Sequence, residues 1–284
     1  MENMLLIGYR TVTPLHAGGE RGTGVVDLPV AREHHSAWPV IPSSTVKGNF
    51  RAKARDHRDK FSKEVEDRLF GPEGAETGGA IRFDEASVLL LPVRSLDQHF
   101  YWVTAPDALR RFGVALRRAG AKLPDSIPEP VQDHVMVAES TSGSLHLEDM
   151  CLRTQQTGLD SWVTALAKVA ALTEEVLKRK LAVVTDDDFR VLCGFALPVS
   201  AHIKLDPALK VNKHSALWYE EDVSVDTVFY SVFGCLASAD RNLKADDVAT
   251  HLQTLLDADA GFTRFGGGET VGKGVCDVRA VSLS

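Results

Sequence analysis

A glycine-rich segment near the end of the chain constrains the fold more than any other feature of the sequence. Six of the 22 glycines fall between Gly261 and Gly274. Glycine allows positive φ angles and lets another backbone approach closely. The run from Val275 to Val281 that follows has the composition of a strand. The sequence therefore predicts a glycine-rich loop that leads into a closing strand.

The residue Lys273 inside this loop indicates a phosphate chain as the ligand. The spacing of Gly267, Gly272 and Lys273 resembles the nucleotide-binding P-loop. However, Gly274 replaces the hydroxyl residue that would bind Mg²⁺, and a P-loop opens a helix, not a strand. A loop that holds RNA or DNA through its backbone fits better, and a plain glycine-rich turn is the alternative. The candidate RNA-binding residues here are Gly266, Gly267, Gly268, Gly272 and Lys273.

Composition limits the class of protein. The 284 residues, 44% of them hydrophobic, are enough for one large or two small domains. No run of about 18 apolar residues predicts a membrane span, and four scattered cysteines favour free thiols in a reducing cytoplasm. The net charge of −7 does not itself indicate nucleic acid. Any RNA must therefore bind to local basic patches, and other proteins would cover part of the acidic surface.

Strand-like and helix-like segments are mixed along the chain, which predicts an α+β fold with a ferredoxin-like sheet and insertions. We expect strands at 5–13, 81–83, 87–92, 100–103, 195–205, 216–219, 227–233 and 275–281. We expect helices at 45–58, with a second piece ending near residue 71, and at 108–119, 162–180 and 246–256. The polar, proline-containing stretch 124–149 is expected to be a loop.

The start of the first helix is a candidate anion site. Ser43, Ser44 and Thr45 have the hydroxyls typical of a helix N-cap, and the free amides of a first helical turn attract phosphate. Lys47 and Arg51 follow at i, i+4 spacing on one face. The alternative is a capped surface helix with mixed charges.

Four acidic or histidine residues are candidates for chemistry. Asp27 follows a glycine-rich stretch, where a carboxylate can hold a divalent metal or take a proton; the alternative is a solvated turn aspartate. His16 could lie near it, because a glycine loop connects them, although an isolated histidine is more often a hydrogen-bonded surface residue. Glu220 and Glu221 belong to an acidic triplet after Trp218 and Tyr219. That triplet is either a metal or base site, or a buried strand end followed by an acidic turn.

Several of these segments together resemble a known family. The resemblance rests on five motifs: 13–18 (TPLHAG), 24–29 (GVVDLP), 39–48 (PVIPSSTVKG), 217–221 (LWYEE) and 266–274 (GGGETVGKG). In order and content they resemble the RAMP superfamily of CRISPR effector subunits, and within it the backbone (fourth) subunits of type III-B (Cmr) complexes. The helix start and the terminal glycine loop are general to the superfamily, whereas the segment containing Asp27 indicates this subunit type.

The resemblance implies a modified ferredoxin-like (RRM-like) palm over residues 1–284 and a β-hairpin thumb at about 195–221. Copies would stack along a guide RNA with other Cmr subunits, and each copy would cut the paired target RNA once. Asp27 matches the cutting residue, which uses a weakly bound divalent metal (Mg or Mn). His16 matches a supporting residue, and either Glu220 or Glu221 matches a further acidic position.

The thumb has a local signature as well. Apolar residues alternate with lysines, as expected of a tip that wedges between bases and holds the displaced backbone. These residues are Lys204, Leu209, Lys210, Val211 and Lys213. The alternative is an exposed hairpin without RNA contact. Two other functions stay open: a purely structural RNA-binding subunit, and a metal-free endonuclease that matures guide precursors.

Overall fold

The computed structural model describes residues 3–19, 25–74, 77–124, 126–139, 143–205 and 212–282, with the backbone alone at 204–205 and 212–216. The α-helices within these ranges are α1 (Ser43–Asp56), α2 (Lys63–Phe70), α3 (Pro106–Arg118), α4 (Asp160–Ala170), α5 (Glu174–Lys180), α6 (Asp186–Phe195) and α7 (Ala245–Asp257). The strands are β1 (Asn3–Thr11), β2 (Val40–Ile41), β3 (Ile81–Phe83), β4 (Ala86–Arg94), β5 (Phe100–Thr104), β6 (His134–Val137), β7 (Ser144–Leu147), β8 (Met150–Gln156), β9 (Leu181–Val183), β10 (Val199–Leu205), β11 (Asn212–Glu221), β12 (Val228–Cys235), β13 (Phe262–Arg264) and β14 (Val275–Ala280). None of the helices in the described ranges combines the length and apolarity needed to cross a membrane.

Twelve of these strands form one mostly antiparallel sheet. Its order is β13-β14-β1-β12-β4-β5-β9-β6-β8-β7, with β2 paired to β4 and β3 paired to β12. Successive side chains of β1 point to opposite faces. Ile7 and Tyr9 therefore pack in the core that contains α1 and α7, whereas Leu6 packs in the core that contains α3 and α4. Helices on both faces of a large mixed sheet confirm the α+β prediction.

The pairing of β1 determines where the loops meet. β1 is antiparallel to both of its neighbours, so that Arg10 lies opposite Val228 and Thr11 lies opposite Cys276. In an antiparallel pair the end of one strand adjoins the start of the other. The segments that follow β1, precede β12 and precede β14 therefore converge at one edge of the sheet.

Most predicted elements are present, with boundaries shifted by at most four residues. The strands near residues 5–13, 81–83, 87–92, 100–103, 216–219, 227–233 and 275–281 and the helices near 45–58, 108–119 and 246–256 are confirmed. The prediction of a loop at 124–149 is wrong, because β6 and β7 lie there and alternate between buried and half-exposed residues. The predicted single helix at 162–180 is two helices, since Ala171 after α4 has a positive φ of 55°. Phe195 ends α6, so the strand expected from 195 begins at Val199.

The first helix begins two residues earlier than predicted. Its N-cap is Pro42, whose extended backbone (φ −56°, ψ 143°) precedes the first turn, and no side chain caps the helix. Ser43 and Ser44 lie in the first turn and are exposed. The predicted hydroxyl cap is therefore wrong, because the two serines lie inside the helix. The first-turn amides receive no side-chain cap from them.

The strands β10 and β11 form a separate two-stranded antiparallel ribbon. Val199 pairs with Glu221 at its base and Ile203 pairs with Leu217 further out. Lys204 and Lys213 belong to the two strands. Leu209, Lys210 and Val211 lie outside the described residues. The thumb function of this ribbon stays a prediction.

Candidate functional site

Three segments meet beside the base of the ribbon, which we define as residues 219–223. Single β-bridges join Leu15 to Val223, His16 to Gly267, Gly18 to Val30 and Leu28 to Glu220. These bridges join the segment after β1, the segment containing Asp27, the glycine-rich loop and the ribbon base. The antiparallel pairing of β1 thus brings together motifs that are more than 200 residues apart.

Asp27 is exposed, and its position is fixed by Tyr219. Its backbone amide donates to the Tyr219 carbonyl over 3.1 Å, and its Oδ2 accepts a hydrogen bond of 2.8 Å from the Tyr219 amide. Leu28 also donates to the same carbonyl, over 3.0 Å. Among the described residues, no donor reaches Oδ1 of Asp27. That oxygen is available to a ligand or a proton.

The ring of His16 has a defined tautomer when it is neutral. Its Nδ1 lies 2.8 Å from the backbone carbonyl of Glu221. A carbonyl oxygen only accepts, so Nδ1 must carry the hydrogen that it donates. The lone pair of the neutral ring is then on Nε2, where it can accept a proton.

Glu220 and Glu221 point to opposite sides of β11, as neighbours on a strand do. Glu220 Oε1 faces His16 Nδ1 at 3.9 Å. Glu221 is buried and accepts from the Val30 amide over 3.1 Å and from Arg32 Nη2 over 2.7 Å. The two glutamates thus differ in position: Glu220 faces His16, whereas Glu221 binds the chain just after Asp27.

Lys273 lies against two carboxylates of the ribbon base. Its Nζ is 2.8 Å from Glu220 Oε1 and 2.9 and 2.7 Å from the two oxygens of Asp222. Burial alone would lower the pKa of Lys273, but the hydrogen bonds to Asp222 and Glu220 outweigh it and raise that pKa. Burial likewise opposes ionisation of Glu220, yet Lys273 lowers the pKa of this carboxyl. Lys273 and Glu220 are therefore held in their charged forms.

The glycine-rich loop permits close approach of the chain's own backbone. A Cβ on Gly266, which has a φ of +77°, would lie 2.1 Å from the His16 carbonyl oxygen. The Gly267 amide donates to that same oxygen over 2.8 Å. Gly268 is close to the Lys273 side chain, and Gly272 (φ +83°) faces open space. At Gly266 the backbone that approaches is therefore that of His16.

Lys47 and Arg51 differ in their surroundings. Arg51 Nε donates to Glu66 over 2.6 Å, and Glu66 has no solvent-exposed side-chain surface. Burial would raise the pKa of Glu66, but hydrogen bonds from Arg51, Arg58 and Arg55 outweigh it and lower that pKa from 4.5 to about 2. Lys47, by contrast, forms no ion pair with any residue that the structure describes. It is half-buried beside the exposed first turn of α1.

The site offers few ligands to the divalent ion that the resemblance implies. Asp27 offers one free carboxylate oxygen, which suits a single ligand to a hard cation whose other ligands come from elsewhere. His16, Glu220 and Asp222 form the one group of three potential ligands within 4.8 Å among the described residues. That group does not fit an ion as it stands, because Lys273 already lies between its carboxylates and Nδ1 of His16 carries a hydrogen.

Sequence reasoning placed Asp222 in the acidic triplet at 220–222 but missed Arg32. Arg32 gave no signal, since nothing near it in the sequence indicates a buried partner. Its guanidinium donates to the carbonyls of Ala37 and Cys193 as well as to Glu221. Arg32 thus joins the end of α6 to the ribbon base.

The chain belongs to the RAMP superfamily, whose family model matches residues 9–277. This confirms the resemblance predicted from the motifs. The match includes His16, Asp27, the helix start, the glycine-rich loop and the first three residues of its closing strand.

Within that superfamily, the chain is similar to Cmr4 proteins. It is 33% identical over 282 residues to the CRISPR system Cmr endoribonuclease Cmr4 of Pyrococcus furiosus, covering 96% of this chain and 94% of that protein. The crystal structure of oligomeric Cmr4 from Pyrococcus furiosus matches with a TM-score of 0.77 and 27% identity, covering 100% and 99% of the two chains. A chain of the type III-B Cmr-beta complex bound to cognate target RNA has the same fold, with a TM-score of 0.74, 19% identity and coverage of 97% and 96%.

Proposed function

We propose that this chain is a guide-RNA-binding backbone subunit of a type III-B CRISPR effector complex and cleaves the guide-paired target RNA at regular intervals. Its partners would be guide RNA, target RNA, further copies of itself and other Cmr subunits, in the cytoplasm. One observation carries the proposal: Asp27 and His16 lie at one sheet edge with the glycine-rich loop. They do so in a chain that matches a Cmr endoribonuclease along nearly its whole length.

The proposed architecture is a single modified ferredoxin-like palm over residues 1–284, with a thumb at about 195–221. The separate β10–β11 ribbon and its exposed apolar side chains support the thumb. Val199, Ile203 and Leu217 are each about half exposed. Apolar side chains on an exposed ribbon suit insertion between bases.

The proposed reaction is attack of an RNA 2′-hydroxyl on its own phosphate. The O2′–P bond forms, the P–O5′ bond breaks, the 2′-hydroxyl loses its proton and the leaving O5′ gains one. The Nε2 lone pair of neutral His16 is the proposed acceptor of that proton, and the free Oδ1 of Asp27 is reserved for the ion proposed below. Because the nucleophile belongs to the substrate, the protein must supply mainly geometry. The double attachment of Asp27 to Tyr219 supports such a role.

We further propose that cleavage depends on a weakly bound divalent ion, Mg²⁺ or Mn²⁺, with Asp27 as its only protein ligand. Such an ion, when bound, would offset negative charge on the phosphate. A site with one protein ligand requires RNA to complete it.

The experiment uses the complete complex with Asp27→Asn and Asp27→Ala. Asparagine keeps an oxygen that can accept the hydrogen bond from Tyr219 but lacks the negative charge. It therefore tests whether cleavage needs the charge of Asp27 or only the position that its hydrogen bond fixes. We expect both variants to bind guide and target RNA normally and to lose the cleavage ladder. Asp187→Asn, at an exposed position on α6, is the matched control and should cut normally.

The alternatives give different results. A full ladder from both Asp27 variants would remove Asp27 from catalysis and favour a purely structural RNA-binding subunit. Cleavage that persists in a chelator would contradict the metal dependence. Cutting of a guide precursor by the isolated, chelated chain would instead favour a maturation endonuclease.

A further inference from the structure

The ammonium of Lys273 occupies a position that a divalent cation would otherwise suit. A lysine ammonium has three N–H donors and no acceptor. Three carboxylate oxygens lie within 2.7–2.9 Å of Nζ: Oε1 of Glu220 and both oxygens of Asp222. All three donors therefore have an acidic partner.

This cluster is enclosed, so its charges are weakly screened. The side chains of Lys273, Glu220 and Asp222 are 13%, 15% and 6% exposed. A carboxylate pair at this depth needs a nearby cation, because a buried charge is costly unless it is paired. Lys273 supplies that cation from the glycine-rich loop, where its side chain also packs against Gly268.

The third potential ligand, His16, is turned away from metal binding. The nitrogen that faces Glu220 at 3.9 Å is Nδ1. It donates its hydrogen to the Glu221 carbonyl and so has no lone pair for an ion. Two independent features thus oppose a divalent ion among His16, Glu220 and Asp222.

We propose that Lys273 is a built-in cation that joins the glycine-rich loop to the ribbon base and excludes divalent ions from the carboxylates of Glu220 and Asp222. The ion of the proposed cleavage reaction then binds elsewhere, at Asp27 and the RNA. A guide phosphate can accept a hydrogen bond from Lys273 only if it replaces one of these carboxylates. This inference deepens the proposed function, but its test involves no RNA.

The test is Mn²⁺ binding to the purified, RNA-free chain, followed by electron paramagnetic resonance. We compare the wild type with Lys273→Met, whose side chain has similar length and no charge. Lys273→Met should bind one additional Mn²⁺ per chain, at least tenfold more tightly than the wild type binds any ion at this cluster. The double variant Lys273→Met/Asp222→Asn should lose that ion, and Lys60→Met, on an exposed turn, should behave as the wild type.

Two results would overturn the inference. One is a wild-type Mn²⁺ site that Asp222→Asn removes, because Lys273 would then not exclude the ion. The other is a folded Lys273→Met that gains no ion. If Lys273→Met does not fold, Lys273→Gln is measured in its place, and the wild-type comparison with Asp222→Asn remains decisive by itself. Loss of cleavage by Asp27 variants tests the proposed function separately.

Discussion

Arg32 should contribute more to stability than its partly exposed position suggests. Its guanidinium donates three hydrogen bonds: 2.8 Å to the Ala37 carbonyl, 2.9 Å to the Cys193 carbonyl and 2.7 Å to Glu221. The Glu221 side chain is only 8% exposed. In Arg32→Met this carboxylate would keep the Val30 amide as a donor but lose its countercharge.

The expected loss follows from these contacts. Removing one partner of a buried ion pair costs about 3–5 kcal/mol, and leaving a buried acceptor without its donor costs about 1–3 kcal/mol. These two costs overlap, because both arise from the same lost contacts. The Arg32 side chain is also 21% exposed, so water can reach part of the site. We therefore expect the lower end, about 3 kcal/mol of unfolding free energy.

Urea unfolding of the purified chain measures this loss. The matched control is Arg117→Met, because Arg117 is exposed on α3 and forms no ion pair with the described residues. Glu221→Gln and the double variant with Arg32→Met complete a cycle, in which the two losses should not add. If Arg32→Met costs no more than the control, or if the two losses add fully, the ion pair does not stabilise the ribbon base as argued.

Three further predictions test the surroundings of the site. The pKa of Glu66 is lowered from 4.5 to about 2, so the stability that this carboxylate contributes is complete above pH 4.5 and is lost as the pH falls toward 2. The difference in unfolding free energy between the wild type and Glu66→Gln should therefore vary with pH by at most about 3 kcal/mol, because the partly exposed arginines are screened by solvent. A difference that does not vary with pH would refute this. Gly266→Ala should lower the unfolding free energy by about 1–3 kcal/mol more than Gly272→Ala, as measured by thermal unfolding. Both glycines have a positive φ, but only a Cβ at residue 266 would meet a backbone oxygen. Equal losses would contradict this. Lys47→Ala should lower the salt dependence of guide binding by about one phosphate contact, whereas Lys60→Ala, on an exposed turn, should leave the slope unchanged; an unaltered slope for both would place Lys47 away from RNA.

Much of the fold could be predicted because local patterns agree with the tertiary structure. The strands β1, β12 and β14 have the apolar composition of buried strands, and α1, α3 and α7 have helical periodicity. The strands β6 and β7 were missed because each has only four residues. Proline and polar residues around them favour a loop when only neighbours in sequence are considered.

The sequence predicts which residues belong to the candidate site, but it does not predict which of them contact each other. His16, Asp27, Glu220 and Lys273 are evident from motifs, but their pairing depends on strand order across more than 200 residues. The sequence could not tell which glutamate faces His16, since that depends on the register of β11. Its expectation that Lys273 contacts phosphate remains a prediction, and the carboxylates beside that lysine come from tertiary structure alone.

The position of β1 between β12 and β14 has a consequence for synthesis of the chain. β1 is made first, yet both of its sheet neighbours, β12 and β14, lie more than 200 residues later. At about 5–20 residues per second, roughly 10–40 s pass before β12 is translated. During that interval the apolar side chains and backbone groups of β1 have no native partner strand. The pairing of β1 is therefore completed only after β12 and β14 have been translated, and such non-local pairing makes folding slow.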